Sequence, residues 1–141
     1  MLLSRKSVEL LAPVGTWEVL EAAINAGADA VYLGGKRFNM RMHRTDTNFD
    51  DDLLIKAINY AHERNVLVYI TVNNLISEQE IDAMRDYLKF LDQIKPDALI
   101  VQDLAILELA KEINFSVPLH SSVMMNTHNE EAINKLKEYG I

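Results

Sequence analysis

Five short apolar segments divide the chain, and each leads into a polar or glycine-containing stretch. They occupy residues 8–12, 30–33, 67–72, 98–101 and 117–121. Residues 67–72 read Leu-Val-Tyr-Ile-Thr-Val, and such β-branched and aromatic runs are typical of strands. Residues 98–101 are apolar throughout, as expected for a strand that is buried on both faces. The pattern therefore predicts five β-strands.

Amphipathic segments with helical spacing fill the intervals between these strands. We predict helices after Thr16, at residues 51–64, from Ser77 to about Gln93, at 104–112 and at 130–139. Residues that cap helix ends mark several of the boundaries, because they satisfy the backbone groups left free there. They are Thr16, Asp50, the Ser77–Glu80 pair and Asn129 at the beginnings, and Gly27 and Gly140 at the ends.

Strict alternation of strand and helix, with no hairpin signal, predicts parallel strands joined by right-handed crossovers. Two architectures suit it: an open five-stranded sheet with helices on both faces, or the first five units of an eight-unit (β/α) barrel of about 250 residues. We expect the partial TIM-type barrel, an α/β fold in which residues 1–141 form one domain, the N-terminal portion of a longer protein. Its first and fifth strands would have open edges, which favour homo- or hetero-oligomers.

Composition narrows the classes of function. The chain has 21 acidic and 14 basic residues, so any contact with nucleic acid must be local. It has no cysteine, which excludes a disulfide, a thiolate nucleophile and a cysteine-ligated metal within this stretch. The apolar run near the N-terminus is too short for a signal peptide or a membrane span. We therefore expect a cytoplasmic protein with no membrane partner.

One basic loop, at residues 34–49, stands out from this acidic background. Two glycines, Gly34 and Gly35, open it, and four cations follow: Lys36, Arg37, Arg41 and Arg44. Glycines allow a close backbone approach, and clustered Arg and Lys bind anions, so the loop suits a small anionic substrate or RNA. A solvated surface loop is the alternative. Phe38 is either a base-stacking platform or a buried anchor for the loop.

Polar residues follow each predicted strand, where parallel α/β folds collect their functional groups. His120 is a candidate acid or base near neutral pH, with Asp103 to orient it, or else a hydrogen-bonding residue of the barrel rim. The candidate substrate-binding residues are Gly34, Gly35, Lys36, Arg37, Arg41, Asn73, Gln102 and Ser121. Ser121 lacks a nucleophile elbow, so a capping hydroxyl is favoured for it. No zinc or nucleotide-binding motif occurs, and no metal ligands are assigned.

Several segments, taken together and in order, resemble a known family. They are Glu-Leu-Leu-Ala-Pro-Val-Gly at 9–15, Ala-Gly-Ala-Asp-Ala-Val-Tyr-Leu-Gly-Gly at 26–35, Tyr-Ile-Thr-Val-Asn at 69–73, Asp-Ala-Leu-Ile-Val-Gln-Asp at 97–103 and His-Ser-Ser at 120–122. This set is similar to the N-terminal half of the collagenase-like peptidases, family 32 of the unassigned peptidase class (U32). The resemblance spans nearly the whole chain.

The resemblance implies an incomplete barrel from a longer protein. Some members of this family are described as proteases, and others resemble factors for hydroxylation of tRNA uridine, rRNA cytidine or ubiquinone precursors. Several carry an iron–sulfur cluster on cysteines that the resemblance places beyond this chain, so no cofactor is expected within it. We expect part of an RNA-modifying enzyme of the tRNA 5-hydroxyuridine type, inactive as a fragment. The alternatives are a collagenase-like peptidase and a non-catalytic binding module.

Overall fold

A computed structural model describes residues 8–141, in which five strands alternate with five helices. The strands are β1 (Leu11–Pro13), β2 (Ala30–Gly34), β3 (Leu67–Val72), β4 (Ala98–Val101) and β5 (Leu119–Ser121). The helices are α1 (Trp17–Asn25), α2 (Asp51–His62), α3 (Ile81–Ile94), α4 (Leu104–Glu112) and α5 (Glu130–Glu138). Short 3-10 turns at Glu78–Glu80 and Val123–Met125 precede α3 and α5.

All five strands are parallel and lie in one sheet in the order of the sequence, from β1 to β5. A doubly wound sheet reverses its strand order part-way, whereas a barrel adds each strand beside the last. The partial (β/α) barrel is therefore confirmed, and the doubly wound alternative is excluded for residues 8–141. Strands β1 and β5 form the two edges of the described sheet.

The two faces of the sheet are covered differently. Side chains from α1 to α4 join those on the convex face, such as Val31, Ile70 and Leu99, in one continuous core. On the concave face a second, small cluster contains Ala30, Tyr69 and Ala98. In a (β/α) barrel the helices cover only the outer face of the sheet, and side chains such as those of the second cluster pack in its interior.

An Asp-Ala pair lies at the start of both β2 and β4, and its two residues have different structural roles. The carboxylates of Asp29 and Asp97 accept hydrogen bonds from the backbone N–H groups of Leu10 and Val68, at 2.7 Å in both cases. Each aspartate thereby ties its own strand to the start of the preceding one. Ala30 and Ala98 are fully buried on either side of Tyr69, where a small side chain leaves room for the ring.

Local signals located the helix ends well and the edge strands less well. Thr16, Asp50 and Asn129 cap helices through their side chains, and the Ser77–Glu80 capping box is present. The strand predicted at residues 8–12 begins only at Leu11, because pairing with β2 sets its register. Likewise, the strand predicted at 117–121 begins at Leu119. Residues 1–7 lie outside the described part of the chain.

Candidate functional site

A cleft of about 880 Å³ opens on the concave face at the C-terminal ends of the strands. One row of paired residues crosses four strands within it: Gly34, Thr71, Ile100 and His120. The basic loop forms one wall, and the segment after β5 forms another. Parallel strands thus bring residues far apart in sequence to one mouth, as the alternation predicted.

Five of the predicted site residues line this cleft, namely Gly34, Arg41, Asn73, His120 and Ser121. Gly35, Lys36, Arg37, Gln102 and Asp103 are not in its lining. Several polar residues that were not predicted also line the cleft: Glu9, Asn39, Thr47, Asn48, Tyr69 and Thr71. Counting back in steps of two from Asn73 along β3 would have identified Thr71 and Tyr69, since alternate strand residues share a face.

The basic loop is fastened to the sheet at both ends. Gly35 and Phe49 form a parallel bridge, and the N–H of Phe49 donates to the carbonyl of Gly34 at 2.9 Å. Phe38 is only 8% exposed, and its ring centroid lies 5.7 Å from that of Tyr87. Phe38 is therefore the buried anchor of the loop, and the base-stacking alternative is wrong. A long loop that packs on its own side chains in this way is frequently functional.

Two asparagine side chains hold the loop at Arg41. The amide oxygen of Asn39 accepts the N–H of Arg41 at 2.8 Å, and the amide nitrogen of Asn48 donates to the carbonyl of Arg41 at 2.7 Å. Asn48 donates also to the carbonyl of Arg44 at 2.9 Å. Asn73, at the end of β3, accepts the N–H of Met40 at 3.3 Å. The backbone around Arg41 is thus fixed by side chains from the loop and the sheet.

Three of the four loop cations are already neutralised by aspartates. Lys36 pairs with Asp50 at 3.5 Å, Arg37 with Asp51 at 2.6 Å, and Arg44 with Asp46 at 3.1 Å. Within residues 8–141, Arg41 is the one member of the four that forms no ion pair, and it lines the cleft. An unpaired guanidinium beside a concave surface is the group best suited to bind a carboxylate or phosphate.

Lys36 and Arg37 are turned toward the helix layer. Their partners, Asp50 and Asp51, stand at the beginning of α2, and the Arg37 guanidinium also lies 4.3 Å from the centre of the Tyr87 ring. The substrate-binding roles predicted for these two cations gain no support from their positions.

Gly34 and Gly35 lack a side chain in places where neighbouring side chains leave no room for one. A Cβ on Gly34 would lie 2.9 Å from the Thr71 hydroxyl and 3.0 Å from the Asn39 amide. On Gly35 it would lie 2.4 Å from the hydroxyl of Tyr87, closer than any side chain tolerates. Glycine is therefore required at both positions by neighbouring side chains. Only Gly34 lies at the cleft.

His120 is exposed on the cleft wall, and its ring meets the Tyr69 ring edge-on with centroids 5.1 Å apart. The Tyr69 hydroxyl donates to the Glu9 carboxylate at 2.8 Å. Burial and that hydrogen bond raise the pKa of Tyr69 to about 12. Tyr69 thus links His120 on one edge of the sheet to Glu9 on the other.

The Asp103 carboxylate binds backbone N–H groups. Its two carboxylate oxygens accept the N–H groups of Ala105 and Ile76, at 2.9 and 3.0 Å, so it caps α4 and holds the segment after β3. These contacts give no support to the predicted orientation of His120 by Asp103. Ser121 donates its hydroxyl to the carbonyl of Ser122 at 3.2 Å. Gln102, beside Asp103, lies outside the cleft lining, half-buried.

Within residues 8–141 no three His, Asp or Glu side chains cluster so as to hold a metal ion. The chain also has no cysteine, so its residues do not fit the iron–sulfur cluster that the resemblance implies for the wider family. No helix in the described residues is long and apolar enough to cross a membrane.

Comparison with known proteins identifies the family. The family model for peptidase family U32 matches residues 15–141. This chain belongs to peptidase family U32. The resemblance seen in the strand-end segments is thereby confirmed.

The relatives of this U32 chain have names that indicate two kinds of activity. A collagenase of Porphyromonas gingivalis is 38% identical over 125 residues, which are 89% of this chain and 30% of that protein. The tRNA hydroxylation protein P1 of Bacillus subtilis is 32% identical over 136 residues, 96% of this chain and 32% of that protein. The U32 chain thus spans about a third of the length of these curated relatives.

A solved structure supports the fold independently. The U32 peptidase Mk0906 superposes with a TM-score of 0.74 at 12% identity, covering 98% of this chain and 59% of that one. At this identity the match concerns the fold alone. It agrees with the partial barrel of five parallel strands described above.

Proposed function

We propose that this U32 chain is part of an RNA-modifying enzyme of the tRNA 5-hydroxyuridine type, and that its cleft binds an anionic substrate through Arg41. The observation that carries the proposal is the unpaired state of Arg41 within residues 8–141, at the edge of a concave site. Relatives named as tRNA hydroxylation proteins support the choice of RNA, since each RNA nucleotide presents a phosphate.

The residues of the cleft suit this role. A guanidinium can donate two parallel hydrogen bonds to a phosphate or carboxylate, which orients the bound group. His120 faces the same cleft from β5 and is the candidate proton donor or acceptor. The remaining wall, with Tyr32, Tyr69 and Ile100, is apolar and aromatic, which suits a planar ring. The oxidising chemistry of a hydroxylation has no carrier among these residues, and we assign no such step to them.

Replacing Arg41 with Ala in the full-length protein tests the proposal. Charge-assisted hydrogen bonds contribute about 1.5–3 kcal/mol each, so we expect 5-hydroxyuridine in bulk tRNA to fall about tenfold or more when substrate is limiting. Nucleoside mass spectrometry measures it. Lys56→Ala is the matched control, because it removes one positive charge from the exposed surface of α2. Unchanged hydroxyuridine in the Arg41→Ala strain would refute the proposal.

A peptidase is the second candidate, and the collagenase relative at 38% identity favours it. For that reaction the same Arg41 would bind a peptide carboxylate. Gelatin digestion by the purified full-length protein, lost on His120→Ala and retained by Lys56→Ala, would support the peptidase function. Absence of digestion would leave the RNA-modifying proposal as the better one.

We propose the cellular location and the partners of the chain on the same grounds. We propose a cytoplasmic location, which an RNA-modifying role supports. Within residues 8–141, β1 and β5 each have one unpaired edge, which offers backbone groups to further strands, from the same protein or a partner, that would complete the barrel. An iron–sulfur cluster, if the whole protein has one, would use cysteines from outside this chain, since residues 1–141 contain none.

A further inference from the structure

We infer that Asn39 and Asn48 are positioning residues that hold the backbone of Arg41 in one conformation at the wall of the cleft, ready for anion binding. The inference rests on the proposed function of Arg41 and goes one step further, to the groups that determine its position. It predicts that substrate affinity depends on two side chains whose amide groups hydrogen-bond the loop backbone.

The first observation is that both main-chain polar groups of Arg41 are bound by side chains. Asn39 accepts its N–H at 2.8 Å, and Asn48 donates to its carbonyl at 2.7 Å. The two amides also contact each other, with the Asn39 nitrogen 3.4 Å from the Asn48 oxygen. The Arg41 carbonyl also accepts the N–H of Arg44 at 2.9 Å. Together with that turn, the two side-chain bonds define the backbone conformation at Arg41.

The second observation is that this pair of amides, here called the asparagine clamp, is itself tied to the sheet. Asn39 is only 3% exposed, it donates to the carbonyl of Gly35, and its amide lies against Gly34. Asn48 precedes Phe49, which is fully buried and bonds to the backbone of Gly34 and Lys36. The clamp therefore connects the backbone of Arg41 to the end of β2 and sets its position relative to the sheet.

The third observation concerns where the clamp acts. Asn48 lies seven residues from Arg41 and four from Arg44, and it donates to the carbonyls of both. These two arginines are the loop cations that line the cleft. Fixing the backbone of one residue before binding avoids an entropy cost equivalent to roughly 5- to 30-fold in affinity. The clamp supplies that preorganisation at the residue with the free charge.

A double-mutant cycle in the full-length protein separates positioning from general stability. The variants are Asn48→Ala, Arg41→Ala and the double variant, with Asn59→Ala, an exposed residue of α2, as the matched control. The readouts are the dissociation constant for total tRNA at one fixed salt concentration and the urea midpoint of unfolding. We expect Asn48→Ala to weaken binding about fivefold when Arg41 is present and less than about twofold when it is absent. Asn59→Ala should change neither quantity.

The outcomes are distinguishable. Equal weakening by Asn48→Ala in both backgrounds would mean that it acts through the fold, and the inference would be overturned while the role of Arg41 stood. Unchanged binding in Asn48→Ala, together with weakened binding in Arg41→Ala, would also overturn the inference and leave the role of Arg41 standing. Unchanged binding in Arg41→Ala would overturn the proposed function and the inference together. Should Asn48→Ala fail to fold, the near-isosteric and uncharged Asn48→Leu, which removes the amide donor, enters the same cycle with the same expected coupling.

Discussion

Replacing Gly35 with Ala would place a methyl group where the Tyr87 hydroxyl already lies. The added Cβ would be 2.4 Å from that oxygen and 3.3 Å from the Leu54 Cδ1 atom. Tyr87 is fully buried between the loop and the helix layer, so its ring has little room to move. Gly35 is therefore predicted to be intolerant of any side chain, for a reason that has nothing to do with substrate.

The magnitude follows from two opposing effects. Overpacking a close-packed core costs about 1–3 kcal/mol, and the loss of glycine flexibility in the unfolded chain returns about 0.4–1 kcal/mol. We expect Gly35→Ala to lower the free energy of unfolding by about 1–2 kcal/mol. In a Tyr87→Phe background the oxygen is gone, and the nearest ring atom, Cζ, lies 3.6 Å from the new methyl group, an ordinary contact. The Leu54 Cδ1 contact at 3.3 Å remains, so the cost of Gly35→Ala should fall to less than about 1 kcal/mol.

Tyr87→Phe alone is expected to be neutral or mildly stabilising. The Tyr87 hydroxyl is buried and has no hydrogen-bond partner among residues 8–141, so its removal deletes an unsatisfied polar group. Urea unfolding followed by circular dichroism gives the four free energies of the cycle, provided that the slope with denaturant is unchanged. Gly27→Ala serves as the control. Its cost arises from a backbone φ of 92° with no atom nearby, and Tyr87→Phe should not alter it. An equal cost of Gly35→Ala in both Tyr87 backgrounds would refute the argument.

Two further predictions concern stability. Burial opposes ionisation of Asp92, but hydrogen bonds from the Ser116 hydroxyl and N–H and from Lys95 outweigh it, so the pKa of Asp92 is lowered in the fold. Its stabilising contribution is present above the ordinary pKa of 3.8 and lost as the pH falls through the folded value, so Asp92→Asn should destabilise at neutral pH and lose that effect in acid. A cost independent of pH in urea titrations would contradict this. Phe38→Ala should cost about 3 kcal/mol by removing the loop anchor beside Tyr87, and Phe38→Leu distinctly less; a cost below about 1 kcal/mol would argue against the anchor.

Several features of the fold were available from sequence because their causes are local. An Asp or Thr side chain caps the helix that follows it whatever the tertiary fold, and the Ser77–Glu80 box behaves in the same way. Runs of apolar and β-branched residues located the three central strands β2, β3 and β4. The edge strands were placed less accurately, since β1 and β5 each have a single neighbour to set their extent.

The candidate site was predicted in outline and corrected in detail. The basic loop and His120 do meet at one mouth, since parallel strands carry their C-terminal ends to the same edge. The sequence marks Lys36, Arg37, Arg41 and Arg44 as equivalent cations. Only the folded chain sets three of them against aspartates within hydrogen-bonding reach and leaves Arg41 beside the cleft.

The sequence by itself determined an alternating parallel α/β chain with a glycine-led basic loop, because hydrophobic period, capping and turn chemistry act over a few residues. Tertiary structure alone decided which charges remain unpaired, which glycines serve packing, and which asparagines hold the loop. Some of those outcomes depend on partners that lie far away in the chain, such as Thr71 and Tyr87 for the two glycines, and others on the exact path of the loop. Local patterns carry no information about such contacts until the strands are in register.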